Sequence, residues 1–291
     1  MAAAALFGVG GTFAQFLFQQ RGVNIDWLVT MRLLCAGAVL LLVAAVRQGR
    51  GILAVWRSDA VALILFGLLG MLAVQYTYMA AINASNTATA TILQFTAPAM
   101  IALWLAVVGR RLPSGREAGA IALAMLGTYF LVTHGKTGAL TISPLALFWG
   151  LASAVAAAFS SLQPVAMLRR YGASAVGGWG MLVGGVALSF LHAPWNVQGV
   201  WDAKTYGVTA FVLSFGTLAA FYLYITALRL IGAQKTSLLS CAEPLSAAVL
   251  AVWWLGVPWG GMEWLGTACI LVTIVLLAKE QSPEGQSEKV T

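Results

Sequence analysis

Charged side chains are scarce in this chain, since Asp, Glu, Lys and Arg make up only 9% of its 291 residues. Soluble globular domains carry roughly 25% charged residues. A surface in contact with water cannot be built from so few charges. Hydrophobic residues make up 60% of the chain, and the mean hydropathy is +0.88. The composition excludes an ordinary soluble domain and predicts a membrane protein.

The residue types that hold metals, disulfides or cofactors are also few. The chain has two histidines and three cysteines, and Cys35, Cys241 and Cys269 all fall inside apolar runs without CxxC spacing. Neither a disulfide framework nor a zinc site follows from this pattern. The sequence also lacks a phosphate-binding glycine loop, an HExxH motif and a catalytic triad pattern. We therefore expect no metal, no cofactor and no enzyme activity.

The net charge of +7 does not predict nucleic-acid binding, because the basic residues are spread over short loops and form no patch. In a membrane protein such residues set the topology. The partners that we expect are the lipid bilayer and a small-molecule substrate. The oligomeric state stays open, and a monomer is compatible with the sequence.

Long apolar stretches fill the chain. A helix needs about 20 apolar residues to cross a hydrocarbon core of about 30 Å. Such stretches cover residues 2–20, 27–46, 59–82, 85–108, 116–134, 143–168, 174–192, 204–230, 234–256 and 262–278. The first lacks a basic leading region, so we interpret it as a spanning helix rather than a cleaved signal peptide. The sequence predicts an all-α membrane protein with ten transmembrane helices and a polar cytoplasmic tail at 281–291.

Lysine and arginine concentrate in loops on the cytoplasmic side of membrane proteins. If the N-terminus is cytoplasmic, the cytoplasmic segments contain Arg47, Arg50, Arg57, Arg110, Arg111, Arg116, Arg169, Arg170, Arg229, Lys235, Lys279 and Lys289. The outer loops contain only Arg21, Lys136 and Lys204, and Arg32 lies within the second stretch. This asymmetry predicts that both termini are cytoplasmic, in a multi-pass protein of the bacterial inner membrane.

The two halves of the chain resemble each other. The segment "YTYMAAINASNTATATILQFTAP" (76–98) aligns without a gap on "YLYITALRLIGAQKTSLLSCAEP" (222–244). This shift of 146 positions matches Tyr76 with Tyr222, Tyr78 with Tyr224, Leu93 with Leu239, Pro98 with Pro244 and Glu117 with Glu263. We expect two five-helix repeats, at 1–135 and 140–280. Five is an odd number, so the second repeat crosses the membrane in the opposite sense, with a central cavity where the repeats meet.

A proline lies in the middle of two matched apolar stretches. Proline has no N–H, so Pro98 frees the carbonyl of Gln94 and Pro244 frees that of Ser240. In hydrocarbon a free carbonyl must face protein or a wet cavity. The duplicated proline predicts a shared cavity or a hinge at Pro98 and Pro244. A simple packing kink is the alternative, since proline is common in membrane helices.

Polar residues form stripes on several predicted helices. We predict a substrate-binding set of Gln15, Tyr78, Thr91, Gln94, Pro98, Tyr224, Ser237, Ser240, Glu243 and Pro244. Hydrogen bonding between helices can also explain each stripe taken alone. Tyr76 and Tyr78 are two residues apart, so at most one of them faces the cavity.

Two charged residues lie within apolar stretches. Glu243 is about nine residues into its stretch, or roughly 13 Å at 1.5 Å per residue, which is close to the middle of the bilayer. An ionisable residue there is a candidate for binding a substrate ammonium or for proton coupling, although a structural carboxyl is an alternative. Arg32 either extends to the outer interface, which Trp27 marks, or binds a substrate carboxylate.

The repeats, the matched prolines and the predicted cytoplasmic termini resemble the drug/metabolite transporter superfamily of the EamA type. The resemblance covers residues 1–280. Repeats of that family often end their fourth helix in a Gly-Glu step, which is absent here, because Arg110 follows Gly109 and Val257 follows Gly256. The "AEP" step at 242–244 and the tyrosines of the third stretch look more like YddG-type exporters of aromatic amino acids.

This resemblance implies a secondary active transporter that exports aromatic or neutral amino acids across the inner membrane by alternating access. Another solute of the same superfamily, such as a cationic drug, a sugar or a nucleotide precursor, is the alternative. A membrane-embedded enzyme or a receptor is a remote third reading. It is disfavoured because the sequence shows neither a catalytic constellation nor a soluble signalling domain.

Overall fold

The computed structural model describes residues 2–110, 112–133, 142–224, 240 and 242–280. Within these ranges all regular secondary structure is helical. The longer helices are α1 (Ala2–Arg21), α2 (Ile25–Gln48), α3 (Ala60–Ala84), α4 (Thr87–Val108), α5 (Gly115–Thr133), α6 (Pro144–Leu162), α7 (Ala173–Leu191), α8 (Ala203–Tyr224), α9 (Ala242–Leu255) and α10 (Gly261–Glu280).

Seven of the described helices, α1–α4 and α6–α8, are long and apolar enough to cross a membrane. Their lengths and composition confirm an all-helical membrane protein, whereas the number of ten spans stays a prediction. One expected helix is shorter than predicted. The stretch 143–168 is divided, because α6 ends at Leu162 and a short helix follows at Val165–Tyr171. Pro164 lies at this division, where it cannot donate a backbone hydrogen bond.

Polar side chains fix where the helices begin. Asn24, Asn86 and Asp202 each accept a hydrogen bond from a backbone N–H in the first turn of α2, α4 and α8. At the start of α5, the backbone N–H of Ser114 donates to Glu117, and the backbone N–H of Glu117 donates back to the Ser114 hydroxyl at 3.1 Å. These caps satisfy amides that have no partner inside the helix, which would be costly near hydrocarbon.

Helices from the two halves of the sequence pack against each other. The helix α2 packs along α7, and α5 packs along α10. The helix α1 contacts α8 and α9, while α6 contacts α3 and α4. Glycine permits these close approaches. A Cβ atom at Gly184 of α7 would lie 2.9 Å from the carbonyl oxygen of Gly67.

The helix α4 is interrupted in its middle, as Pro98 predicts. It consists of Thr87–Gln94 and Ala97–Val108, with turns at Phe95 and Thr96 between them. The Thr96 hydroxyl donates to the Leu93 carbonyl at 2.7 Å and partly replaces the lost helical bonds. Pro98 lies in the first turn of the segment Ala97–Val108, where proline is tolerated.

Among the described residues, each half has one π-helical turn, at Phe66–Leu72 in α3 and at Ser214–Ala219 in α8. The shift of 146 positions brings Gly70 of the first turn onto Gly216 of the second. π-Helical turns widen a helix locally and occur often at functional sites. The helices α3 and α8 are therefore irregular at corresponding positions of the two halves.

Gly216 is the contact point between α8 and α1. A Cβ atom there would lie 3.0 Å from the Cα atom of Gly10, so Gly216→Ala must push two backbones apart. We expect a loss of about 1–3 kcal/mol of stability, measured as thermal unfolding in detergent. The control is Gly207→Ala on the same helix, because nothing lies within 4 Å of a Cβ at that position. Equal unfolding temperatures for the two variants would contradict this packing.

Candidate functional site

A cavity of 500 Å³ lies between helices of both halves. Pockets for small molecules commonly measure about 300–1,000 Å³. Seven of the predicted residues line it, namely Arg32, Tyr78, Gln94, Pro98, Tyr224, Ser240 and Glu243. The cavity therefore brings together residues that are far apart in the sequence, on α2, α3, α4, α8 and α9.

The remaining predicted residues lie elsewhere. Gln15 borders a second cavity instead, and Thr91 is fully buried behind Tyr78. Pro244 is buried and does not line the central cavity, although its neighbour Glu243 does. Ser237 lies outside the described residues.

Arg32 is buried in the protein. Its side chain is only 5% exposed. Its Nε donates to the Thr217 hydroxyl at 2.9 Å, and its Nη1 lies 3.3 Å from the sulfur of Met79. The guanidinium is thus held by α3 and α8 at the wall of the central cavity. This placement agrees with the carboxylate-binding alternative for Arg32.

Glu243 provides the opposite charge at the same cavity. It interacts electrostatically with Arg32 and with Tyr78. Within the described part of the chain, no ion pair of 4.0 Å or less joins Glu243 to Arg32. A guanidinium and a carboxyl group therefore face one small space without contacting each other. A buried charge is stable only when it is paired, so this arrangement suits a ligand that carries both charges.

One wall of the cavity is aromatic. The ring of Phe7 lies 5.6 Å from that of Phe221, at an angle of 88°. It lies 6.4 Å from the ring of Tyr224, at 69°. All three residues line the cavity. Edge-to-face clusters of this kind accept a further flat ring.

The two tyrosines of α3 face different ways, as their spacing predicts. Tyr78 lines the cavity, and its hydroxyl lies 2.7 Å from that of Thr91. Tyr76 instead packs against Trp149, with ring centroids 5.9 Å apart. A Cβ atom at Gly11 of α1 would lie 3.0 Å from the Tyr78 hydroxyl, so α1 closes tightly over this pair.

Gln15 belongs to a hydrogen-bonded closure between α1 and the start of α4. Its side-chain oxygen accepts from the backbone N–H of Thr87 at 2.8 Å and from the Thr87 hydroxyl at 3.0 Å. Its amide nitrogen donates to Gln19, which in turn donates to the carbonyl of Ser85 at 2.9 Å. These residues border the second cavity, of 410 Å³. Gln15 thus binds protein backbone at this point.

Sequence reasoning missed several residues of the cavity. Phe7 and Met79 are apolar and stand in apolar runs, so nothing in the sequence distinguishes them from packing residues. Thr217, which supports Arg32 from outside the lining, lies seven positions before Tyr224 and so shares a polar helix face with it, which the sequence does show. Its hydrogen bond to a residue 185 positions away could not be read from the sequence.

Known proteins resemble the chain along nearly its whole length. The profile of the EamA-like transporter family matches it twice, at residues 1–133 and 144–279. The chain belongs to the EamA-like transporter family. It is therefore a membrane transporter of the drug/metabolite superfamily, as the sequence resemblance predicts, whereas the closer YddG-type resemblance stays a prediction.

Two relatives support this assignment, and one solved structure shares the fold. The uncharacterized inner membrane transporter YicL of Salmonella typhimurium (strain LT2) is 38% identical over 278 residues, which cover 95% of this chain and 92% of YicL. The uncharacterized transporter YwfM of Bacillus subtilis (strain 168) is 22% identical over 249 residues, which cover 85% of this chain and 82% of YwfM. One crystal structure shares the fold with a TM-score of 0.58 and 19% identity, over 97% of this chain and 100% of that one.

In this EamA-like transporter the two cavities lie near equivalent helix starts. Glu117, at the start of α5, lines the central cavity, and Glu263, at the start of α10, lines the second cavity. The two glutamates are 146 positions apart. Each accepts a backbone hydrogen bond from the residue three positions earlier, at 2.8 Å for Glu117 and 3.0 Å for Glu263. Each glutamate therefore caps its own helix and lines one of the two cavities.

Proposed function

We propose that this transporter exports aromatic or other neutral amino acids by alternating access. The observation that carries the proposal is the central cavity, in which Arg32 and Glu243 face the same space without pairing and an aromatic wall completes the site. Each feature corresponds to one part of an aromatic amino acid.

The chemistry of recognition follows from the charges. A guanidinium binds a carboxylate through parallel charge-assisted hydrogen bonds, which favours Arg32 as the partner of the α-carboxylate. The carboxylate of Glu243 is the matching partner for the α-ammonium. The ring of the substrate would contact Phe7, Phe221 and Tyr224. A zwitterion thus compensates both buried charges at once, whereas water or a neutral solute leaves them uncompensated.

The architecture that we propose has ten transmembrane helices in two inverted repeats, with both termini cytoplasmic. The helix contacts support it. Under the shift of 146 positions, α2 corresponds to α7 and α5 to α10, and these are pairs that pack together. Likewise, the contact of α1 with α8 corresponds to that of α6 with α3. The two family matches, at 1–133 and 144–279, agree with repeats of 1–135 and 140–280. Inverted repeats of five helices provide two related access routes to one site.

The two cavities support alternating access between these routes. Two positions that border the second cavity correspond to positions of the central one, since Gln15 matches Ser161 and Glu263 matches Glu117. We interpret the second cavity as an outer vestibule that is separated from the site by the Gln15–Thr87 and Tyr78–Thr91 hydrogen bonds. In this interpretation the central cavity is open to the cytoplasm. Hinge motion at Pro98 and Pro244 then closes it on that side and opens it to the outside.

A cationic drug is the second candidate substrate, because Glu243 and the aromatic wall alone could bind a flat cation. The two candidates differ in their need for Arg32. Proton coupling through Glu243 is compatible with either substrate.

The experiment compares three solutes in proteoliposomes: phenylalanine, phenethylamine, which lacks the carboxylate, and 3-phenylpropionate, which lacks the ammonium. We expect the protein to transport phenylalanine with the lowest KM. Arg32→Gln should raise the KM for phenylalanine at least about tenfold, because it removes a charged hydrogen-bonding partner, and should leave phenethylamine nearly unchanged. Glu243→Gln should raise the KM for phenylalanine and leave the KM for 3-phenylpropionate nearly unchanged.

Tyr222→Phe is the control for this series, because Tyr222 is 48% exposed and lies outside the cavity. Transport of phenethylamine that exceeds that of phenylalanine, with no effect of Arg32→Gln, would favour the cationic substrate. Absence of transport of all three solutes would reject the amino acid proposal.

The outer closure gives a separate prediction. Gln15→Leu removes two hydrogen bonds to Thr87, and each bond contributes about 0.5–1.5 kcal/mol. We expect the population that is open to the outside to rise about fivefold or more. The measurement is labelling of a single cysteine at Ser240→Cys by an impermeant maleimide from the outside, after replacement of the native cysteines. Gln20→Leu is the control, since Gln20 is exposed at the same cavity. Equal labelling rates in both variants would rule out this closure.

A further inference from the structure

Thr217 is a fully buried threonine on the π-helical turn of α8. Its hydroxyl donates to the Val212 carbonyl at 2.8 Å and accepts from Nε of Arg32 at 2.9 Å. A hydroxyl has a single proton, so donation to Val212 leaves its lone pairs for the N–H of the arginine. The direction of both hydrogen bonds is therefore fixed.

The π-helical turn is the reason that this hydroxyl reaches Val212. Several threonines in the regular helices of this protein bond the carbonyl four residues earlier, as Thr12 does with Gly8 and Thr30 with Asp26. Thr217 bonds the carbonyl five residues earlier, which matches the wider π turn. The equivalent position in the first half is Met71, which has no hydroxyl. Of the two matched π-helical turns, only the one in the second half therefore has a hydroxyl at this position.

The contacts of Arg32 determine which edge of its guanidinium is available. Thr217 occupies Nε, and the sulfur of Met79 accepts from Nη1 as a weak partner. Among the described residues, Nη2 has no hydrogen-bond partner. A carboxylate can bind a guanidinium either across Nε and one terminal nitrogen or across the two terminal nitrogens. With Nε occupied, the edge formed by Nη1 and Nη2 remains.

We propose that Thr217 is the positioning residue of the site: it holds Arg32 so that a substrate carboxylate binds end-on across Nη1 and Nη2. This inference rests on the proposed amino acid substrate and adds a determinant of its specificity. Thr217 itself does not contact the substrate. Its effect is confined to solutes that carry a carboxylate, because only these use the arginine.

The test uses Thr217→Val, which keeps the shape of the side chain and removes the hydroxyl, and Thr217→Ser, which keeps the hydroxyl. Thr209→Val is the matched control on the same helix. Thr209 is 6% exposed, and its hydroxyl has no hydrogen-bond partner within the described part of the structure. KM and kcat are measured in proteoliposomes for phenylalanine and phenethylamine.

We expect Thr217→Val to raise the KM for phenylalanine about tenfold or more, because a charge-assisted hydrogen bond to the arginine is lost. The kcat value and the KM for phenethylamine should change less than about twofold. Thr217→Ser should restore the KM for phenylalanine, and Thr209→Val should resemble the original protein. If Thr217→Val raises the KM equally for both solutes, or for neither, the positioning role is overturned.

A second measurement separates this inference from the proposed function. In the protein with ¹⁵N-labelled arginine, the Nε–H resonance of Arg32 is assigned by its loss in Arg32→Lys. We expect slow hydrogen exchange of that N–H in the original protein and in Thr217→Ser, and fast exchange in Thr217→Val. Unchanged exchange in Thr217→Val would refute the positioning of Arg32. The predicted exchange pattern together with no amino acid transport would instead refute the proposed function and, with it, carboxylate recognition by Arg32.

Discussion

The structure depends on the cost of placing charges inside a membrane. Moving an ion from water into an apolar interior costs several kcal/mol even after the protein relaxes. Arg32, on the membrane-spanning helix α2, and Glu243, on α9, nevertheless line one cavity. In the function that we propose, a ligand with both charges completes their pairing. The polar side chains of Tyr78, Gln94 and Ser240 line the same cavity.

Close packing between helices outside the cavity stabilises a fold that contains this central space. Glycines bring α1 against α8 at Gly10 and Gly216, and α7 against α3 at Gly184. Gln94, just before the interruption of α4, lines the cavity, and Thr217, on the irregular turn of α8, holds Arg32 at its wall. The molecule thus combines dense contacts between its halves with local departures from regular helix at the site. The two halves are alike in architecture and different in chemistry, because Glu243 and Thr217 correspond to Ala97 and Met71.

The sequence predicted those features that follow from local physical chemistry. Apolar stretches of about 20 residues located the helices, and the missing N–H of Pro98 located the interruption of α4. The cavity position of Glu243 followed from its depth in an apolar run. Contacts between distant residues could not be predicted in this way. Gln15 lies on a polar stripe like Gln94, yet its amide binds the backbone of Thr87. The hydrogen bond of Arg32 to Thr217, on another helix, likewise had no signal in the sequence.

The most direct test of this account is the water accessibility of the central cavity. Single cysteines are placed at Gln94→Cys, in the cavity, and at Leu103→Cys, which is 47% exposed on the same helix and does not line the cavity. Each is treated in inverted membrane vesicles with a water-soluble maleimide, in a background without the three native cysteines. The account predicts rapid labelling at position 94 and little at position 103, which faces lipid. Equal labelling at both positions, or a position 94 that reacts only with lipid-soluble reagents, would contradict a wet centre and the transport route built on it.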